Sequence, residues 1–175
     1  LTPGVFVTPT DNLRVVGSVL QTQFVDRHSP IATGYNRDEL AIYSAEGQSF
    51  EISNLLNGDR GLPTAKDFQR ATGRGGPHDT DTPEGRPFVQ PPALPDVKPW
   101  QATPLNAEQM RNNPWVIPLD QRPQVILRFA AADKLLIAGL LEGGSEMAER
   151  AAVVDARYGK GHVLLFASNP MWRGE

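Results

Sequence analysis

Gly159-Lys160-Gly161-His162 is the stretch whose residue types come nearest to a known chemical device. A phosphate-cradling loop needs several backbone N–H groups converging at a helix N-terminus, with Lys placed for the phosphates and Ser or Thr for a metal. Here the glycines lead into His162–Ser168, an apolar run of strand character, and no hydroxyl residue follows the Lys. The spacing therefore predicts a glycine-rich hairpin turn. Metal chemistry is the next candidate, because His28, His78 and His162 are present. They are followed by SPI, DTD and VLL, so none has the H-x-x-E or H-E-x-x-H spacing that puts two ligands on one helix face. His78 with Asp79 and Asp81 is a loose trap for adventitious zinc, His28 beside Asp26 predicts an ordered turn, and His162 predicts the start of a strand.

Nucleophilic catalysis needs Ser or Cys on a sharp strand-to-helix corner with a His base close by. No G-x-S-x-G occurs and the chain has no cysteine, which removes thiolate nucleophiles, thiolate zinc ligands and disulfides together. Asp133, Glu142, Glu146 and Asp155 are the carboxylates from which a cryptic acid–base hydrolase would have to be built; the plainer reading gives them turns and surface faces. Trp100, Trp115, Trp172 and Arg173 form the candidate interaction surface, since aromatic and guanidinium groups stack on peptides and glycans. An aromatic and Arg pair such as Trp172 and Arg173 after a core strand is more often a packing anchor, and Trp100 and Trp115 are residues through which the insertion would dock on the body. No catalytic, cofactor-binding or metal-ligating residue is expected in this chain.

The elements that would position these groups are mostly strands. Residues 13–25, LRVVGSVLQTQFV, alternate partly and predict a strand with a bend or bulge at Gly17-Ser18. Pro30 and Gly34 bracket a helical turn. Residues 40–53 hold two short strands around Gly47, in a meander. After Pro123 four strands are expected, in QVILRFA, KLLIAGLLEG, AAVVDARY and HVLLFAS. Ala131-Ala132-Asp133 turns the first pair, Ser145 caps a short helix before the third, and Tyr158–Gly161 joins the last two. In the last strand Val163, Leu165 and Ala167 face one way and Leu164 and Phe166 the other, so both faces read as buried and the strand as internal to a sheet.

Between them, residues 57–118 hold 11 of the 16 prolines, and charges over 57–90 balance at five basic and five acidic. This reads as a long irregular insertion within one domain of 175 residues. It contains one short helix, 105–112, with Thr103 as its cap and Pro104 in its first turn. Net charge of −3 gives no positive field for nucleic acid. No apolar stretch approaches the roughly 18 residues of a membrane span. Leu1 reads as the start of an excised piece, because it carries neither an initiator Met nor a signal-peptide pattern.

Two stretches carry a resemblance. Residues 17–35, GSVLQTQFVDRHSPIATGY, and 151–175, AAVVDARYGKGHVLLFASNPMWRGE, resemble the C-terminal region of large bacterial M14-family zinc carboxypeptidases. There a peptidase domain is followed by a domain similar to class I glutamine amidotransferases. The matching features are Gly17-Ser18, then Asp26, His28, Pro30 and Gly34, then Ala-Val-Val-Asp, Gly-Lys-Gly, Leu-Leu-Phe, Pro170 and Arg173-Gly174. The resemblance implies a β-rich α/β fold with a mixed sheet, corresponding to the later part of that second domain. It also implies a non-catalytic accessory role beside a catalytic domain of the same polypeptide, a periplasmic or extracellular location, and zinc held by the catalytic domain. It further implies that the chain continues past Arg173-Gly174. A peptide- or glycan-binding module is the alternative.

Overall fold

A computed structural model of the chain describes residues 2–58 and 97–170. Within them eight strands make one sheet: β1 (Val5–Val7), β2 (Arg14–Phe24), β3 (Glu39–Ser44), β4 (Phe50–Ile52), β5 (Gln124–Phe129), β6 (Leu136–Glu142), β7 (Ala151–Tyr158) and β8 (Gly161–Phe166). Each described ladder is antiparallel. One helix, α1 (Ala107–Asn112), and short 3-10 turns at Pro30–Ala32, Leu119–Gln121 and Gly144–Glu146 accompany them. The expected β-rich architecture with few short helices is what the chain adopts.

The strand order is β1-β4-β7-β5-β2-β3, with β6 on β2 and β8 on β7 as side arms. The arms follow from length: β5 has six residues, whereas its neighbours β2 and β7 have 11 and 8. A long strand beside a short one leaves backbone donors and acceptors without partners, and these must be paired elsewhere. On β2, Leu20 pairs with both Ile42 of β3 and Leu136 of β6, while Thr22 pairs with both Leu40 of β3 and Phe129 of β5. So β3 takes one edge, and β5 and β6 share the other end to end. On β7, β5 takes one edge, and β4 (at Ala151) and β8 (from Val153) share the opposite one.

This arrangement revises two expected hairpins. β5 and β6 do not pair with each other; they run in the same direction along β2, and residues 130–135 loop out opposite Gln21. Gln21 ties both ends of the loop, donating its N–H to the Leu135 carbonyl (2.8 Å) and accepting at its own carbonyl from Ala130 (3.0 Å). Likewise β3 and β4 form on either side of Gly47 but do not pair as a meander, β3 joining β2 and β4 joining β1 and β7. The three-residue β1, not foreseen from the sequence, pairs with β4 through Val5 and Ile52.

The bulge expected at Gly17-Ser18 is present, as a register shift between Val16 and Val19 against β6. Gly139 lies opposite it with φ +103, and an added Cβ there would stand 2.6 Å from the Ser18 Cα. Ser18, Leu20 and Thr22, at alternate positions of β2, are fully buried. The two hydroxyls avoid a desolvation cost by donating to the carbonyls of Leu140 (2.6 Å) and Leu40 (2.7 Å). Around Leu20 the core gathers Ile126, Leu127, Phe129, Leu135, Met147, Val153 and Val154.

Residues 97–118 lie against this body. Trp100 and Ala102 pack on the core, Ile117 is buried, and Leu55 bridges to Val116. α1 starts two residues later than expected, and its cap is Asn106, not Thr103. The Asn106 side chain accepts from the Gln109 N–H (2.7 Å) and the Gln109 side chain accepts from the Asn106 N–H (3.0 Å), a reciprocal box that satisfies two orphan donors. The Thr103 carbonyl accepts instead from the Asn54 side-chain amide. Similarly the turn before β7 opens on Gly143 (φ +67) rather than on Ser145, and the close approach of the Asn12 backbone leaves no room for a Cβ at Gly143.

Two substitutions test this packing by urea unfolding. Leu20→Ala is expected to cost about 2–5 kcal/mol, as a truncation at a site with no solvent exposure. Gly139→Ala is expected to cost at least about 2 kcal/mol, through positive φ and backbone collision together. An unchanged midpoint for Gly139→Ala would contradict the close approach of β6 to Ser18.

Candidate functional site

The sequence device at Gly159–His162 resolves into a tight hairpin. Tyr158 pairs with Gly161, and Gly159 (φ +60) with Lys160 makes the two-residue loop. The chain leaves it as β8, so the glycines open no helix and form no anion cradle of the helix-terminal kind. His162 stands near the start of β8, as its position predicted.

Cross-strand register decides which side chains meet. Val153 faces Phe166, Asp155 faces Leu164 and Arg157 faces His162, and directly opposed residues of an antiparallel pair share a face. One face of the hairpin therefore carries Phe166, Leu164 and His162 in a row on β8, with Val153, Asp155 and Arg157 beside them on β7. The His162 Nδ1 lies 3.0 Å from both Asp155 oxygens, a diagonal contact. Leu164 is 43% exposed and Phe166 36%. The other face, with Val154, Ala156 and the half-buried Val163 and Leu165, meets the core, which also takes in Val153 opposite Phe166 at the far end of the first face.

β8 is thus not the internal, doubly buried strand that its composition suggested. Its ladder is with β7 alone, and its outer edge has no strand among the described residues. By itself HVLLFAS is apolar on both faces. Its partner, Asp155-Ala156-Arg157-Tyr158, alternates polar and apolar residues, and a strand paired with one solvated face must share that face.

The histidine–aspartate pair is the nearest approach to acid–base machinery among the described residues, and no hydroxyl or lysine hydrogen-bonds to it there. No group of three His, Cys, Asp or Glu side chains that could hold a metal occurs among them. His78, Asp79 and Asp81 lie outside the described residues, as do Trp172 and Arg173 of the candidate interaction surface. Of the other two residues in that set, Trp100 is half-buried against the core, while Trp115 is 52% exposed. Trp115 is held at its backbone, donating its N–H to the Asn113 side chain (2.9 Å) and accepting from the Leu56 N–H (2.8 Å). Trp115 is therefore left about half exposed, while Trp100 packs on the core. The Asp26 carboxylate accepts from the His28 N–H (2.9 Å), the ordered turn read from sequence. Arg27 beside it donates to the carbonyls of Arg37 and Tyr35 and stacks on Phe24.

Among the carboxylates singled out, Glu146 has a structural occupation that sequence reasoning missed. Its oxygens accept from the backbone N–H groups of Asp11 (2.9 Å) and Asn12 (3.0 Å) and from the Asn12 side-chain amide (3.2 Å). This clamps the approach to β2 onto the turn before β7. Desolvation acts to raise its pKa, but the hydrogen bonds from Asp11, Asn12 and Leu13 together outweigh it and hold the carboxyl below its ordinary value. Sequence spacing carries no sign of a contact across 135 positions.

No described helix is long and apolar enough to cross a membrane. Comparison of the chain with protein-family models, with curated proteins and with solved structures returns no match.

The Glu146 clamp predicts a pH dependence. A carboxyl whose folded pKa is depressed stabilises the fold above its unfolded pKa, and that contribution disappears as pH falls through the folded value. The stability gap between wild type and Glu146→Gln should be constant near neutrality and close as pH is lowered beneath the ordinary value of 4.5. Denaturant midpoints across that range give the measurement, and a gap independent of pH would contradict the clamp.

Proposed function

We propose that the chain is a non-catalytic accessory domain of a zinc metallocarboxypeptidase-like protein, packing on or orienting the catalytic domain. The parentage rests on the resemblance carried by residues 17–35 and 151–175, which also supports a periplasmic or extracellular location and zinc held by the catalytic domain. The packing role rests on one observation in the fold. Val16 of β2 and Leu140 of β6 are directly opposed across the ladder yet 54% and 48% exposed, and Leu136 and Ile137 of β6 are exposed as well. A cluster of exposed apolar side chains on paired strands suits burial against another protein surface.

The accessory reading is tested in two parts. Incubated with zinc and peptide substrates, the chain is expected to give no turnover above a zinc blank, and zinc-dependent turnover would overturn it. In the longer protein, Leu140→Glu should lower the unfolding temperature of the catalytic domain while leaving the isolated chain within about 0.5 kcal/mol of wild type, as for other exposed positions.

A second reading, a peptide- or glycan-binding module, is favoured by the exposure of Trp115. Under it, tryptophan emission should shift on titration with a short peptide or oligosaccharide and lose that shift in Trp115→Ala. Emission unmoved by either class of ligand would leave only the packing role for this residue.

A further inference from the structure

The β7–β8 hairpin combines three properties that together define an occupant. The first is an available strand edge. β8 keeps an unbroken register with β7 over six consecutive pairs, unlike the bulged ladders of β2 with β6 and β5 with β7. The outer-edge backbone groups of Gly161–Phe166 have no partner among the described residues. Edges left open in this way are usually blunted by a proline, a bulge, or lysine and carboxylate side chains. GHVLLF has no proline, lysine or carboxylate, and its register is regular. The second property is the exposed apolar row of Leu164 and Phe166 on one face of that edge.

The third property is charge, and it has a direction. The row ends at the hairpin tip beside two exposed cations: Arg157, opposite His162, and Lys160 in the loop. Neither forms an ion pair among the described residues, and Asp155 on the same face is engaged by His162. The tip therefore presents two cations without an ion-pair partner among the described residues where β8 begins. A strand laid antiparallel against β8 starts beside Phe166 and finishes beside Gly161, so its C-terminus arrives at the hairpin tip, by the loop that holds Lys160 and two strand spacings, roughly 10 Å, from the β7 backbone that carries Arg157. A parallel strand would bring its cationic N-terminus to the same place.

We propose that the outer edge of β8 binds an extended peptide as an added antiparallel strand, with apolar side chains at alternate positions over Leu164 and Phe166 and its free C-terminal carboxylate at the hairpin tip that carries Lys160 and Arg157. Main-chain hydrogen bonds supply affinity, alternate side chains supply selection, and the carboxylate sets direction. This rests on the peptide-binding reading and gives it a place and a ligand class separate from Trp115; it does not depend on the parent being a peptidase.

The test uses a fluorescein-labelled hexapeptide of alternating valine and threonine with a free C-terminus, followed by anisotropy. Comparison peptides carry a C-terminal amide, or N-methyl groups on alternate residues. Expected results are saturable binding of the acid, about tenfold weaker binding of the amide, and about the same loss for the acid with the double variant Arg157→Glu, Lys160→Glu. N-methylation of the hydrogen-bonding register should abolish binding. Because both substituted residues are exposed, circular dichroism of the variant should match wild type. Binding of acid and amide alike, unaffected by the charge reversal, would overturn this site while leaving the peptide-binding reading standing. No binding of any peptide would overturn both. A concentration-dependent dimer lost on Val163→Lys, with no peptide binding, would assign the edge to a second copy and likewise overturn the proposal.

Discussion

The structure depends on a mismatch of strand lengths. β5 lies between two longer strands, and neither β2 nor β7 can leave its surplus backbone groups unpaired where the core removes water. Each meets this requirement by dividing one edge between two partners, β5 and β6 on β2, and β4 and β8 on β7. The loop of residues 130–135, the bulge at Gly17-Ser18 and the positive φ of Gly139 are local consequences. They let a chain that runs along β5 resume the same line as β6 after skipping one residue of its neighbour.

The divided edges also explain where the molecule is sticky. A side arm rests on one strand, so it is supported along one edge and presents the other to its surroundings. β6 and β8 are the two arms, and they carry most of the large apolar side chains that remain exposed on the described strands: Leu136, Ile137 and Leu140 on β6, Leu164 and Phe166 on β8. The two differ in what surrounds those side chains. On β6 the exposed Leu140 faces an equally exposed Val16, a broad apolar surface suited to another folded domain. On β8 the apolar row is narrow and ends in cations, which suits an extended segment with a negative end. The proposed packing surface and the proposed peptide edge thus lie on separate arms of one sheet.

The interior is held by hydroxyl groups as well as hydrocarbon. Ser18 and Thr22 occupy core-facing positions on either side of Leu20 and donate to carbonyls of the strands that flank β2. Each such bond contributes about 1 kcal/mol, and leaving either hydroxyl unsatisfied would cost more than that. They therefore fix register more than they add stability. Glu146 acts in a similar way at the periphery, tying the entry of β2 to the turn before β7 through backbone donors.

Apolar density, glycines and prolines in the sequence determined by themselves where most strands form, that Gly17-Ser18 breaks a register, that Gly159-Lys160 turns a hairpin, and that Asp26 orders the turn at His28. These are local properties: alternation, φ preference and side-chain reach act within a few residues. Tertiary structure decided which strands are neighbours, because an edge accepts any strand that presents the right hydrogen-bonding groups, and adjacency in the chain does not compel pairing. For that reason Ala131–Asp133 makes a loop along one line rather than a hairpin, and β3 and β4 separate across Gly47. It also decided that Trp100 is committed to the core while Trp115 is left open, which identical side chains cannot signal. Finally, it decided that β8 is an edge. HVLLFAS is apolar on both faces, and only the partner strand, with Asp155 and Arg157 on one side, determines which of those faces meets water.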